Sequence, residues 1–354
     1  MIRLLSLVFA LFVWSCNKSQ KLSFPHSKQF SVKDFKKEDY LHGEILDLGL
    51  LVSPISIFCN NSNLFVYQAG QDTLLTVYST RENYKKMGRA ISQGMGPGEL
   101  MTVNRMDFNS DGSFWVHDVM GGQLKKFQLL LNDGKLDVKV LDHIKIPGTA
   151  LNAVYLNSDL IITTTREIVP PTRFSIYDKL GRITEQKGAY PYYGTEIPVS
   201  VAVEVFSAWA AAHPLKNKFV LAYEYTDLLE FYDSTATLIK RLHGPDHFFP
   251  VFELKQRGNY PVMKRLYDKT KYAYPVKPVG GDEMICFLYA DGKTVPKGDD
   301  EADHFNKVIF TDWNGNPLAL YELNKKIISI AVDWTARKIY GLNRNEAKVF
   351  AFSF

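Results

Sequence analysis

Six aromatic residues set the scale of this chain. Tyr78, Phe127, Tyr177, Tyr232, Phe310 and Phe350 each close a short, largely apolar run, at successive separations of 49, 50, 55, 78 and 40 positions. Four of the five separations fall near the ~40–50 residues that one four-stranded repeat unit occupies. Around each aromatic the same order recurs: an apolar strand, a polar turn, a second strand, a loop, then a third strand carrying the aromatic. Three of the aromatics run into similar turns, at Asp178 and Gly181, at Asp233 and Ser234, and at Asp312, Asn314 and Gly315. Asp, Asn and Gly in such places favour the tight connection to a fourth strand.

The copies predict strands as follows. The first covers residues 54–59, 63–68, 74–79 and 84–88. The second lies within 94–129, with 136–146 as its outer strand. The third covers 151–156, 160–165, 173–177 and 182–187, and the fourth 199–206, 218–225, 228–232 and 237–242. The fifth covers 272–278, 283–289, 307–311 and 317–322. The sixth has three strands only, 327–333, 338–342 and 348–354. Residues 244–271 and 291–306 read as insertions that account for the long separation, and residues 208–212 as a brief helical excursion. A four-stranded sheet buries its faces only against its neighbours, so the last unit must meet the first. The expected fold is all-β, a six-bladed β-propeller in which residues 43–50 supply the outer strand missing from the sixth blade and cover its edge. Two stacked sandwiches would need a linker near the middle of the chain, and none is there.

With 46% hydrophobic and 13% aromatic residues the chain has ample material for such a core. Arg3 and the apolar run at residues 4–13 read as a secretory signal over residues 1–15. The run is too short to span a bilayer. Val13, Trp14, Ser15 and Cys16 resemble a bacterial lipobox, which makes Cys16 the lipidation residue and gives stable attachment through two or three acyl chains. Asn17 stands where an inner-membrane retention signal has aspartate, and Lys18 and Lys21 stand where a surface-export signal has acidic residues. The expected address is the outer membrane, facing the periplasm, with residues 16–39 as a solvated linker and 40–354 as the propeller. Removal of Arg3 leaves 41 basic against 38 acidic residues, a net charge of +3. That weak charge excludes an electrostatic footprint for nucleic acid. Cys59 and Cys286 fall in non-adjacent repeats and read as two free, buried small hydrophobes.

The lipobox, the sixfold period and the run Gly94, Met95, Gly96, Pro97, Gly98, Glu99 together resemble the TolB-like six-bladed β-propeller lipoproteins of Bacteroidetes, with an NHL-like repeat. The resemblance covers residues 40–354. It implies the fold and the envelope address and brings no agreed activity or catalytic set with it.

Candidate site residues follow from local chemistry. Gly94, Gly96 and Gly98 permit close backbone approach, so main-chain amides in this loop have access to an anion, with Glu99 bonding local amides as the competing arrangement. Glu99 and the following strand exclude a dinucleotide fingerprint, and the absence of Lys-Ser/Thr excludes a P-loop. His117 and Asp118 end a second strand beside a glycine turn, and Asp333 ends an innermost strand. His243, Asp246 and His247 hold metal-ligating groups but match no zinc spacing. Residues 299–304 are acidic but lack the calcium-loop order. No metal or cofactor is expected. The leading functional reading is a monomeric, non-catalytic scaffold binding a periplasmic protein, peptide or glycan through an aromatic insertion (Phe248, Phe249, Phe252, Tyr260, Tyr267). The rival reading is a lactonase- or lyase-like enzyme with a channel-bound divalent ion held by Asp107, Glu204 and Asp333.

Overall fold

The computed structural model describes residues 22–60, 62–132, 135–146, 150–156, 160–165, 172–215, 217–266, 269–294 and 305–354. The expected signal segment at residues 1–15, Cys16, Tyr267 and the acidic run at 299–304 lie outside the described residues. Six sheets of four or five strands form the blades. Blade one is Pro54–Cys59, Asn63–Gln68, Thr73–Ser79 and Lys85–Ser92. Blade two is Arg105–Phe108, Ser113–Asp118, Gln123–Asn132 and Lys135–Lys145. Blade three is Ala150–Leu156, Leu160–Thr165, Phe174–Tyr177 and Ile183–Lys187. Blade four runs Ala208–Ala212, Lys218–Tyr223, Leu228–Asp233 and Leu238–His243. Blade five runs Val279–Gly280, Met284–Tyr289, Phe305–Asp312 and Pro317–Ile327, and blade six Ser329–Asp333, Lys338–Asn343 and Lys348–Ser353.

The repeated aromatics are buried at interfaces between blades, none more than 4% exposed. Phe127 packs with Phe65, Leu75 and Phe114 between blades one and two. Tyr177 packs with Trp115 and Leu124 between blades two and three. Between blades six and one, Tyr78, Leu64 and Ile57 meet Ala331, Tyr340 and Val349, joined by Leu46 and Leu48. The turns after the third strands repeat one device. An Asp carboxylate oxygen accepts the amides two and four residues on, at Asp178, Asp233 and Asp312.

Two assignments in blade four exchange places. Residues 199–206, expected as its innermost strand, contain the helix Val199–Val205, and residues 208–212, expected as helical, form the strand. The alternating valines mimic a strand period. Instead Pro198 caps the helix, its carbonyl accepting the Val201 and Ala202 amides, and Val201, Ala202, Val203 and Val205 are buried. The alanines suit a strand at the ring's centre, where small side chains let neighbours touch backbone. Asn152 Nδ2 donates to Ala208 O at 2.7 Å, and a Cβ at Gly280 would stand 2.7 Å from Ala212 O. The insertion before blade five is also structured: Phe252–Arg257 and Tyr260–Arg265 form a two-stranded hairpin. In blade five the innermost strand is only Val279–Gly280; upstream of it, Ala273 and Tyr274 donate to Glu224 and Tyr223 of blade four, while Ala273 O accepts the Ala290 amide.

The segment expected as a linker is instead a strap. Ser27–Gln29 lies parallel to the outer strand of blade four, with Ser27 opposite Arg241. Lys37–Leu41 lies parallel to the outer strand of blade five, with Lys37 opposite Ala319. Glu44–Ile45 then pairs antiparallel with Lys348–Ser353 and becomes the fourth strand of blade six. The strand within 43–50 is therefore two residues long. Phe24, Phe30 and Phe35 anchor the strap, all buried, and the last two enter the core between blades four and five. Their irregular spacing matches neither strand nor helix period, which is why the segment looks featureless in sequence. Phe30→Ala is expected to lower the unfolding free energy by about 3–5 kcal/mol. Lys33→Ala on the exposed side of the strap is expected to stay within about 0.5 kcal/mol, both read by urea denaturation.

Candidate functional site

Four antiparallel strands fix which connections share a face. The start of the first strand and the ends of the second and fourth lie on one side, and the end of the first strand lies on the other. The glycine loop, the turn after Asp118, the helix Val199–Val205 and the hairpin therefore occupy one face. Asp333 ends a first strand and lies on the opposite face, where its Oδ1 accepts the Ala336 amide at 2.8 Å.

The glycine loop is held by its own bonds. The Gly96 amide donates to Glu99 Oε2 at 2.8 Å, and the Gly94 amide to Leu100 O at 3.0 Å. Lys125 Nζ donates to Gly96 O at 2.9 Å and Glu99 O at 2.7 Å, so carbonyls turn inward to a buried ammonium whose pKa burial lowers. A Cβ at Gly94 would stand 2.1 Å from Glu99 Oε2, while one at Gly98 meets nothing closer than 3.9 Å. Gly94 is required by close approach, and Gly98 is not.

Asp118 ties this loop to the next turn. Its Oδ1 accepts the Thr102 amide at 3.0 Å, Thr102 Oγ1 at 2.9 Å and the Gly121 amide at 2.9 Å. Its Oδ2 accepts the Met101 amide at 2.9 Å and Gln123 Nε2 at 3.0 Å. Burial raises the Asp118 pKa, but the donors from Gln123, Met101, Gly121 and Thr102 outweigh it and hold the carboxyl below its ordinary value. Gly121 has no room for a Cβ, which would stand 2.1 Å from Asp118 Oδ2.

His117 faces a different environment, buried at the inner edge of blade two. It sits opposite Arg105, the first residue of the innermost strand of blade two. Arg105 Nε and Nη2 each donate to an Asp107 oxygen at 2.7 Å, and Nη1 donates to Ala210 O in blade four. Blades two and four are not sequential neighbours, so the guanidinium reaches past blade three to bond to blade four. Lys277, just before the innermost strand of blade five, completes the group. Its Nζ stands 5.4 Å from the centre of the Trp209 ring. Burial, and then Arg105, push its pKa down to about 7 against a smaller opposing effect of Asp107. Burial, then Lys277 and Arg105, likewise press His117 down to about 3. His117 Nδ1 and Trp209 Nε1 are buried with no hydrogen-bond partner among the described residues.

The other candidates are engaged elsewhere. Asp227, fully buried, accepts the amides of Asp246, His247 and Phe248, and His243 Nε2 stands 3.1 Å from its Oδ1. The run from His243 to His247 thus wraps a buried carboxylate, with the Asp246 carboxylate accepting from the Tyr289 hydroxyl. Among the described residues no three His, Cys, Asp or Glu side chains are grouped to hold a metal ion. Glu204 is on the helix and accepts the Met263 amide of the hairpin at 2.9 Å, so Asp107, Glu204 and Asp333 are not assembled as one set. Cys59 and Cys286 are free, Cys286 buried and Cys59 half-buried. Arg105 and Lys277 escaped the sequence reading, whereas Trp209 stood in the 208–212 excursion read as helical and as one edge of the central funnel. The available signals were opposite charges at Arg105 and Asp107, two positions apart on an innermost strand, and a lone lysine in the apolar run of residues 273–281.

Asp118→Ala is expected to cost about 2–4 kcal/mol in urea denaturation, since it strands several buried donors. Gly121→Ala is expected to be less damaging in that background than alone, because its clash is with the Asp118 carboxylate. His117 stays neutral in the fold while its unfolded counterpart takes up a proton near pH 6.5, so stability falls as pH drops from 6.5 toward 3. His117→Gln is expected to flatten this dependence by up to about 1.4 kcal/mol per pH unit, read as unfolding free energy between pH 6.5 and 4.5.

Two solved structures share this architecture. A member of the DUF4221 family from Bacteroides vulgatus superposes with a TM-score of 0.54 at 12% identity, covering 95% of this chain and 99% of that one. A Bacteroides fragilis protein described as exported gives 0.53 at 12% identity, covering 92% and 99%. A Chaetomium thermophilum Raptor chain gives 0.46 at 11% identity, and the match covers 89% of this chain but 29% of Raptor. No curated protein matches the sequence. The family described as TolB-like 6-blade propeller-like matches residues 34–335, and with six blades in place the chain belongs to that family.

Proposed function

We propose that this protein is a binding module of the bacterial envelope, lipid-anchored through Cys16 to the outer membrane and facing the periplasm, whose hairpin takes up an extended peptide segment of a periplasmic protein. One observation carries the reading: the strand Phe252–Arg257 has an open edge. Its partner Tyr260–Arg265 lies against the helix Val199–Val205, where Ser200 Oγ donates to Pro261 O at 3.3 Å and Glu204 accepts the Met263 amide. The other edge of Phe252–Arg257 pairs with no strand among the described residues. An incoming extended peptide adds to such an edge through main-chain hydrogen bonds, and side-chain contacts at alternate positions give selectivity. Leu254, 55% exposed, and Tyr260, 64% exposed, flank it as apolar contacts. Glu253, Lys255 and Arg257 set its polarity and discourage pairing between copies. Among the described residues no helix is long and apolar enough to cross a membrane.

The hairpin turns through the two residues Gly258 and Asn259, so Arg257 and Tyr260 exchange hydrogen bonds and the Leu254 amide points outward. Leu254→Pro therefore removes an outward donor and leaves the hairpin's own ladder intact. In pull-downs from envelope extract, Leu254→Pro is expected to lose the partners that the native protein retains, at unchanged thermal stability of the ring, and a chain with residues 253–264 replaced by a Gly-Ser link is expected to lose them too. Identical partners for all three proteins would sink the reading.

A further inference from the structure

Three blades place cationic and hydrogen-bonding side chains at one end of the channel without giving all of them partners. Arg105 is fully committed, its three nitrogens engaged by Asp107 and by Ala210 O. Lys277 is not. No carboxylate lies within ion-pair distance of its ammonium among the described residues, and around it stand the face of Trp209 and the Arg105–Asp107 pair. Beside it, the Trp209 indole N–H and His117 Nδ1 are buried with no hydrogen-bond partner among the described residues, and His117 is only 2% exposed. Native proteins satisfy nearly all buried polar atoms, so two orphans next to an unpaired ammonium mark a place prepared for an external group. Among these residues Arg105 and Asp107 cancel, which leaves a single positive charge beside an aromatic face.

We propose that the channel end bounded by Lys277, Trp209, His117 and Arg105 binds a small carboxylate monoanion. Lys277 is its counter-charge, the Trp209 indole N–H its orienting donor, and the indole face the wall for its apolar body. A monoanion neutralises the one uncompensated charge. A phosphate dianion would leave an excess negative charge against Asp107 in a desolvated site. A neutral ligand would leave the ammonium unpaired. The site is independent of the hairpin edge and stands or falls without it.

The test uses the whole protein and sodium benzoate in isothermal titration calorimetry at pH 6. Saturable one-to-one binding is expected, with no binding of benzamide, the neutral analogue, and none of inorganic phosphate at equal concentration. Lys277→Met, which keeps side-chain length and removes the charge, is expected to weaken benzoate binding by at least tenfold without lowering the thermal midpoint. Trp209→Phe, which keeps an aromatic wall and removes the N–H, is expected to weaken it severalfold. Should Lys277→Met fail to fold, the native protein still decides. Saturating benzoate must slow reductive methylation of Lys277, read by mass spectrometry, relative to lysines on the outer strands such as Lys139. Absence of saturable benzoate binding, equal binding by the Lys277→Met protein, preference for phosphate, or an unchanged methylation rate would each overturn the proposal.

Discussion

No blade of this protein is stable by itself. Each is a sheet with two apolar faces, and each face is covered by the neighbouring blade, so the burial that holds any one sheet depends on all of them. The layer between blades six and one, where Tyr78 and Leu64 meet Tyr340 and Val349, turns a row of sheets into a ring without ends. A two-residue strand at Glu44 and Ile45 contributes few hydrogen bonds, but it delivers Leu46 and Leu48 into that layer, and Leu48 O accepts from the Tyr78 hydroxyl at 3.0 Å. Area removed from water, more than strand pairing, holds the junction.

The same geometry sorts polar chemistry by position. Between blades, polar groups are neutralised locally: Asp118 gathers five donors, and Asp227 closes the turn around His247. At the axis, innermost strands from different blades point side chains at one another, and charges from distant parts of the chain meet. Arg105, Trp209 and Lys277 belong to blades two, four and five, and only ring closure makes them neighbours. Turns that read as sites in one dimension are therefore braces in three. The less conspicuous lysine lies where partners are lacking.

What could be read from the sequence follows from range. The aromatic period and the Asp turns are local or quasi-periodic, and both transferred directly to the fold, as did the interblade position of the glycine loop. Residues 199–212 failed because propensity and context disagree: alternating valines were recruited to a helix begun at Pro198, and alanines to a strand where only small side chains fit. The strap failed because its pairing partners are remote and its three phenylalanines follow no period. The channel group failed twice over, since recognising it requires knowing both which strands are innermost and which blades face each other. Trp209 was read at the edge of the central funnel but on a helix, and its strand is the innermost of blade four.

The strap also has a consequence for biosynthesis. Ser27 pairs with Arg241, Lys37 with Ala319 and Glu44 with Ala351, so the earliest-made segment waits for partners translated last. Contacts of such long sequence separation slow folding. Until the final strand emerges, the nascent chain carries unpaired sheet edges and uncovered phenylalanines. A protein built this way closes late, with the strap and the last sheet settling together rather than blade by blade.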